Sequence, residues 1–108
     1  MTSEEALKQA PKDDPSLQPL DKAFSEAGAK LKKSPKDAKL KKAYVDTGYN
    51  YGHTVMMDRG KLRPTVQYRA ALAIYRKVLV VDPKHKKTLE DKKLIEDIYK
   101  QMGLPIPK

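Results

Sequence analysis

The chain has no cysteine among its 108 residues. That absence removes a disulfide framework, a thiolate nucleophile and any Cys-type zinc site at once. No apolar run approaches the ~18 residues that a membrane-crossing helix needs. The N-terminal stretch MTSEEALKQAPKDDP also lacks the basic-then-apolar order of a secretory signal. A cytoplasmic location is the default expectation. Catalytic signatures are missing too: there is no Ser–His–Asp grouping and no glycine-rich phosphate loop following a strand. The acidic pairs Asp13/Asp14, Glu90/Asp91 and Glu96/Asp97 fall on a polar tail or a polar helix face, where solvation accounts for them. No enzymatic activity and no cofactor are expected. His53 lies near Met56 and Met57, but the one other histidine is His85. A transition-metal site needs several convergent ligands, so no metal is assigned.

What the chain has in quantity is positive charge. Lysine and arginine total 23 against 14 carboxylates, a formal net charge of +9. The excess is uneven, because residues 1–21 hold Lys8 and Lys12 against Glu4, Glu5, Asp13, Asp14 and Asp21. An acidic lead on a basic body can fold back onto it, and the body attracts acidic peptides, nucleic acid or lipid head groups. Lys32, Lys33, Lys36 and Lys39 crowd one predicted turn, and Lys84, Lys86 and Lys87 crowd a second. With no aromatic side chains interleaved for base stacking, a solvated face is the preferred reading of these lysines.

The segment that organises the rest is Tyr68 to Pro83, YRAALAIYRKVLVVDP. Apolar side chains at Tyr68, Ala71, Leu72, Tyr75, Val78 and Leu79 recur at steps of three and four, which is helical spacing. Asp82-Pro83 stops the helix, because a residue before proline is pushed out of the helical region. Upstream, Pro11, Pro15 and Pro19 predict a mostly irregular acidic tail or linker over residues 1–19, with room for no more than a short, weakly held helical turn around Glu4–Gln9. A helix follows from Leu20 to Lys33, ended by Ser34-Pro35. Another is predicted from Lys36 to about Asp58, with a second apolar line of Val45, Tyr49, His53 and Met56 beside its main stripe. Two lines on one helix imply two neighbours, or a face open to a ligand. After the turn at Gly60 and Pro64 comes the organising helix, then a last helix over about Lys86 to Met102. Its inward residues are expected to be Leu94, Ile95, Ile98, Tyr99 and Met102, with Gly103-Leu104-Pro105 as its stop and 104–108 as an extended tail. The fold class is therefore all-α, with about four helices and antiparallel neighbours.

Ala23 precedes Pro35 by the same twelve residues that separate Ala71 from Pro83, an offset of 48 between the two pairs. A helix–turn–helix unit thus recurs, and here the chain resembles the tetratricopeptide repeat family. That family's pattern is W-x2-L-G-x2-Y, then A-x3-F, then P. Tyr44, Thr47, Gly48 and Tyr51 take the first four places, Ala71 and Tyr75 the next two, and Pro83 the last. Thr47 departs from the expected leucine, and Tyr44 replaces tryptophan. The step from Tyr51 to Ala71 exceeds the family's by about eleven residues, for a repeat of ~34. Eleven residues are about three turns at ~3.6 per turn, so two paired helices can share them as a lengthened hairpin.

The resemblance covers residues 20–103 and implies an α-solenoid fragment that binds a protein or peptide, here an acidic one. By position it implies a groove lined by Lys42, Val45, Tyr49 and His53, extended by Met56. It does not carry over the family's peptide-carboxylate clamp, since Asp46 stands where asparagine is usual. Two other readings stay open at this point: anion binding along the lysine edge, to nucleic acid or anionic lipid, and self-association through the open ends of so short an array.

Overall fold

The computed structural model describes residues 1–108 and is all-α. Five helices run in order: α1 (Ser3–Asp13), α2 (Gln18–Lys33), α3 (Ala38–Met56), α4 (Pro64–Val81) and α5 (Lys86–Gln101), with a 3-10 turn at Pro15–Leu17. Helices α2 and α4 end at Lys33 and Val81, while α3 and α5 begin at Ala38 and Lys86. Both pairs of boundaries are 48 residues apart, the offset of the sequence repeat. Contacts between neighbours run in opposite senses along each pair. Asp21 meets Tyr51 and Gly28 meets Tyr44 between α2 and α3. Gly48 faces Val78 and Gln67 reaches the Met56 carbonyl between α3 and α4. Tyr75 meets Asp91 and Arg69 meets Tyr99 between α4 and α5. Consecutive helices are therefore antiparallel.

Helix α4 is the centre of the molecule, packed against α1, α3 and α5. With three neighbours it is buried nearly all round: every residue from Ala70 to Tyr75 is buried, as are Val66 and Val78. A single stripe underestimates it. Helix α2 shows the contrast. Its main neighbour is α3, and Ala23, the repeat partner of fully buried Ala71, is exposed.

The acidic lead is not an irregular tail. Residues Ser3–Asp13 form α1, opened by a reciprocal capping box in which the Glu5 amide donates to Thr2 Oγ1 (3.2 Å) and the Thr2 amide to Glu5 Oε1 (2.9 Å). Pro11 falls in the last turn of α1, where its missing N–H removes one helical hydrogen bond just before the helix ends. Helix α1 lies antiparallel along α4. Fully buried Ala6 and Ala10 allow close approach, while Glu4–Lys77 (3.1 Å) and Asp13–Arg63 (3.0 Å) pair the charges at its two ends. The C-terminal residues also dock here. Arg76 donates to Ser3 Oγ (3.2 Å) and to the Pro107 carbonyl (2.6 Å), and the Ser3 amide donates to the Lys108 carbonyl (2.7 Å).

The hairpin tip between α3 and α4 is folded back onto the bundle. Asp58 accepts from the Lys61 and Leu62 amides (2.9 and 3.0 Å), and Gln67 Nε2 donates to the Met56 and Asp58 carbonyls (2.9 and 2.8 Å). Leu62 and Val66 are buried there, and the end of α1 lies alongside through Asp13. The extra hairpin length thus coincides with the presence of α1.

Candidate functional site

On α3, Val45, Tyr49 and His53 follow each other at i, i+4 and i+8, which aligns them in one row. The start of α5 approaches this row from the far side of α4's end. His85, the residue before α5, and Asp91, inside it, both reach the row. Asp91 is only 8% exposed and is the anchor of the set. Its Oδ2 accepts from the Tyr75 hydroxyl of α4 (2.8 Å) and lies 2.9 Å from His53 Nδ1 of α3. A carboxylate can only accept, so His53 Nδ1 carries the proton in this contact. Three helices are tied at one oxygen atom. Burial, followed by this hydrogen bond, drives the Tyr75 hydroxyl well above the ordinary tyrosine range, so it stays a donor.

Above the anchor is an aromatic stack. The Tyr49 ring is stacked on His53 (5.4 Å between centroids) and on Tyr75 (6.3 Å), with His85 tilted against it at 5.7 Å. Lys87 Nζ lies 5.9 Å from the Tyr49 centroid, within reach of the electron-rich ring face. Tyr49 is half-buried and its hydroxyl is 3.3 Å from His53 Nδ1. Burial first, and then the Asp91 charge, raises its proton affinity. His85 Nδ1 meets Thr88 Oγ1 at 2.7 Å. Thr88 is fully buried, so its hydroxyl serves the turn and offers nothing to solvent.

Next to the stack is an open cleft of about 370 Å³, where α3 meets the α4–α5 turn. Lys41, Lys42, Val45 and Asp46 line one side, with Val81, Asp82 and His85 on the other. Lys42 pairs with Asp46 one turn on (2.8 Å), and Asp82 accepts from the Lys84 amide (3.3 Å). Val45 is buried and forms the floor.

Of the groove residues expected from sequence, Lys42, Val45, Tyr49 and His53 are thus brought to one surface. Met56, a turn further along α3, touches the anchor from behind, its Sδ 3.9 Å from the Tyr75 hydroxyl, and does not line the cleft. Three contributors were missed as a set: Asp91, His85 and Asp82. Asp91 looked like part of a polar face beside Glu90. Yet Thr88, Asp91, Ile95 and Tyr99 fall at i, i+3, i+7 and i+11, and all four are the buried residues of α5. That spacing was the available signal.

Of the residues matched to the repeat pattern, Tyr44, Gly48, Tyr51, Ala71 and Tyr75 meet at helix contacts, while the Thr47 hydroxyl donates back to the Ala43 carbonyl of its own helix. The Tyr44 ring lies tilted against Phe24 (4.7 Å between centroids), and the Tyr51 hydroxyl donates to Asp21 (3.0 Å). Gly48 leaves the space that Val78 and Phe24 fill, and Ala71 and Tyr75 are fully buried. Pro83 stands exposed at the turn between α4 and α5. The lysines of the two turns, Lys32, Lys33, Lys36 and Lys39 and then Lys84, Lys86 and Lys87, are all exposed. Antiparallel packing brings both turns to the same end of the bundle as the cleft. No family model, curated protein sequence or solved structure matches this chain.

Proposed function

We propose that this protein is a non-catalytic, tetratricopeptide-like module that binds an acidic protein or peptide on the α3 face. The observation that carries the proposal is the Tyr49 stack beside the cleft. It is a half-buried aromatic surface whose support, the Asp91 anchor, is held by three helices, and such rigid aromatic surfaces are where binding energy concentrates. Lys41, Lys42 and Lys87 surround it, which favours a partner bearing carboxylates and speeds its encounter. The 48-residue register of the helices and the small residues at their contacts support the repeat reading. Affinity capture from lysate tests the site, with wild-type protein compared against Lys42→Glu/Tyr49→Ala. Proteins enriched by the wild type should be lost from the variant; identical sets refute this face.

A second reading rests on the two lysine turns meeting at one end. It assigns that end to nucleic acid or anionic lipid, held through phosphates. Anisotropy titration of unrelated duplexes separates the readings: phosphate binding requires a steep, sequence-independent loss of affinity with salt.

A further inference from the structure

On the opposite flank of α5 is a groove that the α3 face does not involve. Leu94, Ile98 and Met102 follow at i, i+4 and i+8, and Leu94 and Met102 are 56% and 54% exposed. They were expected to point inward. Only Ile95 and Tyr99 do, because α5 packs against α4 through a narrower stripe than its apolar surface provides. Ile98 and Met102, with Leu104 beyond them, face Pro64 and Tyr68 of α4 across about 290 Å³ of open space, while Leu94 lies outside this lining. In this mostly apolar lining stands Arg69, next to Thr65 at the rim. Its Nη1 donates to the Thr65 carbonyl (3.2 Å) and its guanidinium lies over the Tyr99 ring (5.7 Å). Its Nε is buried with no hydrogen-bond partner. The Nε is enclosed and out of a partner's reach, so a carboxylate entering the groove meets the terminal Nη groups of the guanidinium, whose charge it complements.

We infer that this α4–α5 groove docks an amphipathic, acidic helix of a partner protein, whose carboxylate pairs with the Arg69 guanidinium. A helix suits the shape, since a groove between two i, i+4 ridges accepts the ridge of a third helix. Acidity suits the arginine. The chain already holds a helix in this manner, because α1 lies along α4 through small apolar residues while Glu4 and Asp13 pair with Lys77 and Arg63. A second copy of this chain is the poorer occupant, because two surfaces of net charge +9 repel.

The test uses the full chain and two labelled helical peptides with leucines at i, i+4 and i+7. One carries a central Glu facing the leucine side and the other carries Gln there. Fluorescence anisotropy and amide NMR shifts of residues 65–69 and 98–104 report binding. The Glu peptide should bind about tenfold more tightly than its Gln twin, the usual scale of a charge-assisted hydrogen bond. Arg69→Gln should abolish that preference, Met102→Glu should weaken both peptides, and Lys42→Glu/Tyr49→Ala should change neither. The last variant separates this groove from the α3 face, so either site can fail alone. Far-UV circular dichroism checks that each variant is folded; Leu104→Glu, at another exposed position of the groove lining, replaces Met102→Glu should the latter unfold. No saturable binding, equal affinity for both peptides, or sensitivity to the α3-face variant overturns the inference. So does a concentration-dependent dimer in light scattering that Leu104→Glu or Met102→Glu disperses, since the groove is then covered by a second copy.

Discussion

Gly52 is the most demanding contact between α3 and α4, and replacing it with alanine tests the packing directly. A Cβ at this position would overlap Cε1 of the Tyr75 ring, with Cδ1 at 2.9 Å and Cζ at 3.1 Å. The ring cannot swing clear, because Tyr75 is fully buried and its hydroxyl is fixed to Asp91 at 2.8 Å. Two effects oppose each other. Alanine in place of a helical glycine gains roughly 0.5–1 kcal/mol of backbone entropy. Overpacking a rigid contact costs about 1–3 kcal/mol. The clash wins, leaving a net loss of about 1–2 kcal/mol, which for a domain of this size lowers Tm by roughly 5–10 °C. Thermal melts followed at 222 nm read this out. The decisive arm is the double mutant: in a Tyr75→Leu background the ring is gone, and Gly52→Ala should become neutral or stabilising. A Gly52→Ala protein that melts higher than wild type would refute the close approach. So would an equal loss in the Tyr75→Leu background, since the effect would then have another origin.

Asp91 makes a second test. Asp91→Ala leaves the Tyr75 hydroxyl without its acceptor and should cost about 2–3 kcal/mol, whereas Asp91→Asn keeps one acceptor oxygen and should cost less; urea melts give both values, and equal losses would show that hydrogen bonding is not the anchor. Acidification should act first on α1. Hydrogen bonds from Thr2 lower the Glu5 pKa, Gln9 and then Arg63 lower that of Asp13, and Ser16 lowers that of Asp14. Groups with depressed folded pKa values contribute stability above their ordinary pKa values of 4.5 for Glu and 3.8 for Asp, and lose it as pH falls through the folded values. Amide NMR below pH 5 should therefore show α1 loosening before α3 and α4; simultaneous loss of all helices would contradict this order.

The helices from α2 onward were legible because each carries an apolar stripe at helical spacing and a stop with a physical cause, such as Asp82-Pro83 or Gly103. Helix α1 was obscured by its prolines. Its capping pair, Thr2 and Glu5, was there to be read, but its buried face consists of Ala6 and Ala10, too small to register as a stripe. Only the tertiary contact with α4 gives them weight. The reverse error occurred at α5, where Leu94 and Met102 have the right residue type for a core and no neighbour to form one. Periodicity identifies which residues share a face of a helix. It does not tell how many faces find a partner, and α4, with three neighbours, and α2, with one main neighbour, mark the two extremes.

The same limit explains why the groove residues were partly visible and their anchor was not. Val45, Tyr49 and His53 are separated by one turn each, so the row follows from helix geometry alone. Asp91 is 38 residues from His53 and 16 from Tyr75, and only the antiparallel return of α5 along α4 brings it to both. This has a consequence for α4. Its Tyr75 never reaches the exposed surface, yet it shares the carboxylate oxygen that orients His53, one contact away from the Tyr49 ring. A core substitution at Tyr75 therefore alters the α3 face without touching it. Tyr75→Phe, which keeps the ring over Gly52 and removes only the hydroxyl, leaves Asp91 to His53 alone and loosens the geometry of the stack while the helices remain packed.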